Sequence, residues 1–301
     1  MSGTLLMGIL FIAITVFAIG LIKRGLKIAK MPVHLRWELA PVPHEKGKAS
    51  YGGSYLEEFE WWTKPREKSL FNEAWYMFQE IIFLKGVWEK NRRMWYFSFP
   101  FHFGGLYLVV AMIVLYKLSA IIAFTGTNAS AIVSAAMVVG IIAYGLGAIG
   151  TIGLCFQRLT DPVLKPYTTP SHLINLIFLA SIYITGLMGI LSIDDYGVQM
   201  ALFIQGVFTF NPPMLPGIMG LHVILGSAFL IYLPFTYMMH FVAKYFTYHE
   251  IRWNDTPMTT GSAMEKEVGE LLGQKVTWSA PHINGQGKKT WVDVATEEMK
   301  K

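Results

Sequence analysis

Four histidines stand in or beside long apolar runs: His102, His172, His222 and His240. An ionisable side chain inside a membrane is costly, so each is a functional candidate by default. His222 and His240 bracket VILGSAFLIYLPFTYMM, a run with no charged residue. Their separation is eighteen residues. One continuous helix would make roughly five turns over that distance, so both imidazoles would leave the same face. They would stand roughly 27 Å apart, near the thickness of a bilayer core. Imidazole nitrogen is an axial ligand of haem iron. One such nitrogen near each membrane surface, facing one way, is what two stacked b haems need.

The elements that must position these side chains are transmembrane helices. Of the 301 residues, 53% are hydrophobic and 15% charged, and mean hydropathy is +0.41. A soluble domain would carry about 25% charged residues. Five stretches are long and apolar enough to span a bilayer: 4–22, 98–124, 130–155, 173–192 and 215–243. Each must be helical, because an isolated strand leaves its backbone polar groups unsatisfied in lipid. The first run has no charge before it and is followed by Lys23 and Arg24, so it reads as a retained span rather than a cleaved signal. The single cysteine, Cys155, excludes a disulfide framework, an iron–sulfur cluster and a cysteine zinc site held by this chain alone.

Basic residues set the expected orientation. The connection 23–97, the one between spans three and four (Arg158, Lys165) and the segment after span five together hold 24 of the 25 Lys and Arg. The exception is Lys117, near the end of span two. By the positive-inside rule that side is the cytoplasm, with the N-terminus outside and the C-terminus inside. This asymmetry also accounts for the net charge of +5 without a nucleic-acid partner. The expected division is a five-helix membrane domain over 1–245 and a cytoplasmic tail over 246–301.

Topology sorts the histidines by depth. His102 opens span two on the inner side, level with His240 at the inner end of span five, and this pair is the candidate for bis-histidine ligation of an inner haem b. Gly104 and Gly105 follow His102 and would let a macrocycle approach. The competing reading is a pair of polar side chains hydrogen-bonded between helices. His222 has no histidine at its depth. Met112 in span two and Met188 in span four are candidate thioether ligands for an outer haem, although a methionine in a membrane helix is more often packing. His172 follows TTPS at a helix start and reads as a cap, with proton exchange or propionate binding as the sharper role. His34, His44, His249 and His282, outside the spans, read as surface or structural. The glycines of span three (Gly140, Gly145, Gly147, Gly150, Gly153) either allow close helix packing or leave room for a flat cofactor.

The connection 23–97 is rich in aromatics, among them Trp37, Trp61, Trp62 and Trp75. Its second half, 70–90, has helical periodicity through Phe71, Trp75, Phe78, Ile82 and Phe83, which suits a helix lying in the membrane interface. Its other face is either bare or covered by a soluble partner. The tail contains a short expected helix at 265–272 and the stretch VTWSAPHINGQGKKTWVDVATEE, read as a segment that docks on a partner.

HVILGSAFLIYLPFTYMMH resembles the last helix of the respiratory nitrate reductase gamma-subunit family of cytochromes b. The Phe101–His102 pair resembles that family's first haem ligand, and the TTP motif before span four also fits. The resemblance covers roughly 1–245. The soluble segments, with HEIRWND and the tail stretch, are similar to a branch containing membrane subunits of heterodisulfide-reductase-like and sulfite-reduction-associated complexes. The family implies an all-α, five-helix, haem-binding membrane bundle that exchanges electrons between a membrane quinone and a cytoplasmic iron–sulfur partner of heterodisulfide-reductase type. It implies that His102 and His240 hold an inner haem b, and His222 an outer one. A second histidine ten residues after His102 is expected in the family; Met112 stands there. Lys117 is then a candidate for a quinone carbonyl or a haem propionate, and Arg158 for an inner haem propionate, since Arg pairs with carboxylates bidentately. Two other classes compete: a haem-poor anchor for a soluble iron–sulfur enzyme, and a transporter with histidine relays. The second predicts inverted repeats and broken helices, and the sequence shows no sign of either.

Overall fold

The structure is a computed structural model and describes residues 1–31, 42–45, 47–65, 67–280 and 283–297, with the backbone alone at Asn284. His34, Trp37 and His282 lie outside the described residues. The fold is all-α apart from one two-residue hairpin. Five helices are long and apolar enough to cross a membrane: Gly3–Ala29, Arg92–Phe124, Ser130–Thr160, Pro170–Ser192 and Gly217–Phe235. The chain is a multi-pass membrane protein. It divides into two compact units, one of Met1–Gly20 with Ala74–Thr236 and one of Leu21–Glu73 with Tyr237–Lys301.

The membrane unit contains the first part of α1 (Gly3–Ala29), most of α2 (Leu70–Ile82), α3 (Lys85–Lys90), α4 (Arg92–His102), α5 (Val109–Phe124), α6 (Ser130–Thr160), α7 (Pro170–Ser192), α8 (Tyr196–Thr209) and α9 (Gly217–Tyr232). Helix α6 is its axle, packing on α4, α5 and α7, while α7 packs on α9 and α5 on α8. The glycines of α6 serve this packing. A Cβ at Gly147 would meet the Tyr183 ring, and one at Gly150 would meet the backbone of Phe101. Close approach, not room for a macrocycle, is the role of these two.

Two interruptions bear on the histidines. Pro100 sits inside α4, where it has no N–H for the carbonyl four residues back. A π-helical turn, Phe103–Leu108, follows directly; such wide turns cluster at functional sites. The second interruption corrects an expectation. The run from His222 to His240 is not one helix: α9 stops at Tyr232, Leu233–Phe235 is a 3-10 turn, and Thr236 is extended at φ −112°, ψ 170°. Pro234 causes it, because its ring removes a ladder hydrogen bond and crowds the preceding turn. His222 and His240 therefore do not stand on one continuous helix, although the span itself exists.

The interfacial segment divides into α2 and α3, separated by Leu84 at φ 52°. Phe71 and Trp75 of α2 are more than half exposed. Trp95 Nε1 donates to the Phe83 carbonyl at 2.8 Å and the Tyr107 hydroxyl to the Ile81 carbonyl at 2.6 Å, which ties this segment to the second span.

The second unit has short 3-10 turns at Lys48–Tyr51, Tyr55–Glu57 and Trp61–Thr63, then α10 (His240–Phe246), α11 (Ala263–Leu272), the hairpin β1 (Ser279–Ala280) with β2 (Ile283–Asn284), and α12 (Trp291–Thr296). Ser262 caps α11 through the Glu265 N–H. Val276 is buried, accepts from the Gly287 N–H at 2.7 Å and donates to the Lys289 carbonyl at 2.8 Å. The tail is thus folded on itself as well as helical where expected.

Candidate functional site

His102 ends α4 half-buried, with Nδ1 2.7 Å from the Ser98 carbonyl oxygen. A carbonyl only accepts, so Nδ1 carries the proton and Nε2 the lone pair. That tautomer is the one a metal-ligating imidazole needs, and a backbone acceptor on the other nitrogen is its usual support. Phe101 lies edge-on to the ring, centroids 4.7 Å apart. Just beyond, Gly105 faces Tyr183, whose hydroxyl donates to the Gly105 carbonyl at 3.3 Å. His102 fits an axial haem ligand by its oriented imidazole and the aromatic ring beside it; the space at Gly104 and Gly105, expected to admit a macrocycle, is filled by Leu146 and Tyr183, so these two glycines serve helix packing.

His222, on α9, is held differently. Its Nδ1 is 3.1 Å from the Ile182 carbonyl and 3.4 Å from the Thr185 hydroxyl, both on α7. By the same reasoning Nε2 holds the lone pair, but the Tyr144 hydroxyl of α6 lies 2.9 Å from it and donates to it. The imidazole bridges two neighbouring helices. Beside it is a cavity of about 480 Å³ with walls from α1, α5, α7, α8 and α9, and the structure brings His222 and Met112 to it together. Met112 is buried, its Sδ packed against Gly140 of α6. Gly140 and Tyr144 are four residues apart and so neighbours on one face of α6. Both candidate donors of the outer position are therefore turned onto α6. The residues there do not fit a haem: one donor's lone pair is taken by a hydroxyl, and the other packs on a helix backbone. Met188 is 53% exposed and does not line the cavity.

Four hydroxyl-bearing residues that sequence reasoning passed over line this cavity: Tyr116, Tyr144, Tyr183 and Ser227. Tyr183 donates to the Gly105 carbonyl; Tyr116 and Ser227 are buried and their oxygens have no hydrogen-bond partner among the described residues. No lining residue is charged. A hydroxyl in an apolar run gives no periodic signal, and only the fold gathers these four.

The remaining candidates have local partners. Lys117 donates to Gln205 Oε1 at 2.9 Å and lies 3.9 Å from the Phe208 ring centroid, both on α8. Arg158 ends α6 half-buried, and its backbone carbonyl accepts from the Thr168 hydroxyl. His172 caps its own helix, its Nδ1 accepting from the Thr169 N–H at 3.0 Å. Within the second unit, His240 opens α10 exposed to its surroundings. His44 is buried there with Nδ1 3.1 Å from Glu73 and Nε2 3.5 Å from Asp255, and His249 stacks on Tyr245; both are structural, as expected. Among the described residues no group of three or more His, Cys, Asp or Glu is placed to hold a metal ion.

No curated protein matches the chain. Its sequence does match the nitrate reductase gamma subunit family over residues 87–254, more than half of its length, from α3 to just past α10. The matched region includes His102, Met112, His222 and His240. The chain belongs to the nitrate reductase gamma subunit family, whose members are haem-b-binding membrane subunits of redox complexes that associate with catalytic subunits.

Proposed function

We propose that the chain carries electrons through the membrane between a quinone pool and an iron–sulfur partner of heterodisulfide-reductase type in the cytoplasm. His102 is the first axial ligand of a b haem, and His240, from the sequence and the family, is its second. The haem supplies one-electron redox chemistry; the chain supplies ligands, orientation and an apolar surrounding. The observation that carries this reading is the Ser98 carbonyl on His102 Nδ1, 2.7 Å away. It fixes the tautomer, holds the ring plane and makes Nε2 a better donor. Tyr183 and Phe101 keep water from that end of the bundle. Arg158 is the candidate for a propionate there.

The basic residues gathered in 23–97, after α6 and after α9 support a bacterial-type inner membrane location, with the N-terminus outside and the C-terminus inside. The aromatics of α2 and the folded tail are the surfaces for the cytoplasmic partner. The branch of the family that this partner represents rests on the soluble segments of the sequence.

The test is direct. Purified protein should show a reduced-minus-oxidised b-type spectrum, and His102→Ala should abolish it while the protein remains folded by circular dichroism. Folded wild-type protein without a haem band, after expression with haem supplied, would sink the proposal and leave the haem-poor anchor.

A further inference from the structure

The second membrane-crossing helix begins at Arg92, and the segment before it folds into a hook. Helix α2 ends at Ile82, Leu84 turns the chain at φ 52°, and α3 leads into α4. Trp75 and Gln79 of α2, Phe83 of the turn, Lys85 and Trp88 of α3 and Trp95 of α4 line a groove of about 380 Å³. All six belong to the membrane unit. The aromatic walls are fixed in place: Trp95 is held by its bond to the Phe83 carbonyl, and Trp88 stands edge-on to it, centroids 4.7 Å apart. They are also bare, with Trp75 53% and Phe83 48% exposed. Tryptophan gathers at the headgroup level of a bilayer, and Trp95 lies within the first turn of the crossing helix. The rim is basic. Residues 85–93, KGVWEKNRR, hold four basic side chains and one acidic. Lys85 Nζ donates to Gln79 Oε1 at 2.9 Å and lies 4.8 Å from the Tyr76 ring centroid, and the Arg92 guanidinium lies 4.4 Å from the Trp88 ring centroid. Those partners are neutral, and neither cation is paired with a carboxylate among the described residues. A neutral hydrocarbon would leave both charges unanswered, and a free phosphate would leave the aromatic walls in water. An anionic head on an apolar chain answers both.

We propose that this groove holds one anionic phospholipid, its phosphate on Lys85 and Arg92 and its glycerol and upper acyl chain on Trp75, Phe83, Trp88 and Trp95. The lipid joins α2 to α4, the helix that ends in His102, and it touches neither that imidazole nor any other candidate haem ligand. Phe71, four residues earlier on α2 and 78% exposed, does not line the groove and stays open to the soluble partner, as does the folded tail.

The experiment offers the full chain in mild detergent an equal mixture of phosphatidylglycerol and phosphatidylcholine, and counts the lipids it retains by native mass spectrometry. One phosphatidylglycerol per chain, kept in preference to phosphatidylcholine, is expected. Lys85→Gln and Arg92→Gln should each weaken its retention about fivefold, the effect of one basic side chain at a membrane surface, with the circular dichroism unchanged. Lys90→Gln removes the same charge from an exposed residue of α3 outside the groove and should leave retention as it was. Glycerophosphoglycerol, the same head without chains, should not displace the lipid. Equal retention of the two lipids would overturn the proposal, and so would a loss in Lys90→Gln as large as in Lys85→Gln, which is the mark of a diffuse surface field. Displacement by the chain-free head would overturn it in favour of a soluble phosphodiester. Equal retention of the two lipids, together with a glutamate-rich peptide that quenches tryptophan fluorescence in the wild type and not in Lys85→Gln, would overturn it in favour of an acidic protein partner.

Discussion

Gly150→Ala tests whether α6 positions His102 by contact. An ideal Cβ at residue 150 would lie 2.5 Å from the Phe101 amide nitrogen and 2.7 Å from its Cα and Cβ. Ordinary contact between such atoms is about 3.5–4.0 Å, so relief requires α4 to withdraw by about 1 Å. The atoms met are backbone and Cβ, which no rotamer change can move aside. Overpacking of this kind costs about 1–3 kcal/mol. The displaced residue adjoins His102, so the haem band should weaken as well. Gly145→Ala is the control: it lies on the same helix, and its Cβ meets nothing within 4 Å. Thermal unfolding followed by tryptophan fluorescence, with haem retention measured alongside, should show a lower midpoint and lost haem for Gly150→Ala alone. Equal midpoints and equal haem content in the two variants would refute the packing argument.

Two further outcomes concern the second unit. His44→Ala removes a buried imidazole from between Glu73 and Asp255 and should cost about 1–3 kcal/mol, the cost of leaving a buried polar group without its partner; faster hydrogen exchange in 47–65 and 248–255 is the readout, and unchanged exchange would discount the link. Glu58 is held down at about 2 by hydrogen bonds from Lys48 and Lys64. A depressed carboxylate stabilises above its unfolded value and loses that contribution as pH falls through the folded one. Its share should therefore vanish between about 4.5 and about 2, and Glu58→Gln should flatten the stability profile there.

What the sequence reveals and hides follows from the range of the interactions involved. Span number comes from runs of apolar residues, a local property, and five spans were legible. The helix at 265–272 and the cap at His172 were legible for the same reason, since both depend on neighbours within four residues. Helix α8 was not. YGVQMALFIQGVFT is too short to span a bilayer and lies in the connection between the fourth and fifth expected spans, where length alone gives no signal for a helix. The Pro234 break was visible as a residue but not as a consequence, because proline in a membrane helix either kinks it or ends it according to what surrounds it.

His102 and His222, two histidines of the spans, differ in what holds them, and this difference reaches beyond the helix each sits on. His102 is oriented by a carbonyl four residues back on its own helix, a partner that any α4 would supply. His222 is oriented by Ile182 and Tyr144, 40 and 78 residues away on two other helices. The eighteen-residue spacing contains nothing about them. Met112 fits the same rule. Its place ten residues after His102 suggests a ligand, yet Gly140 of α6 sets where its sulfur goes. A His222/Met112-ligated outer haem therefore requires two donors to leave α6 together, breaking one hydrogen bond and one packed contact.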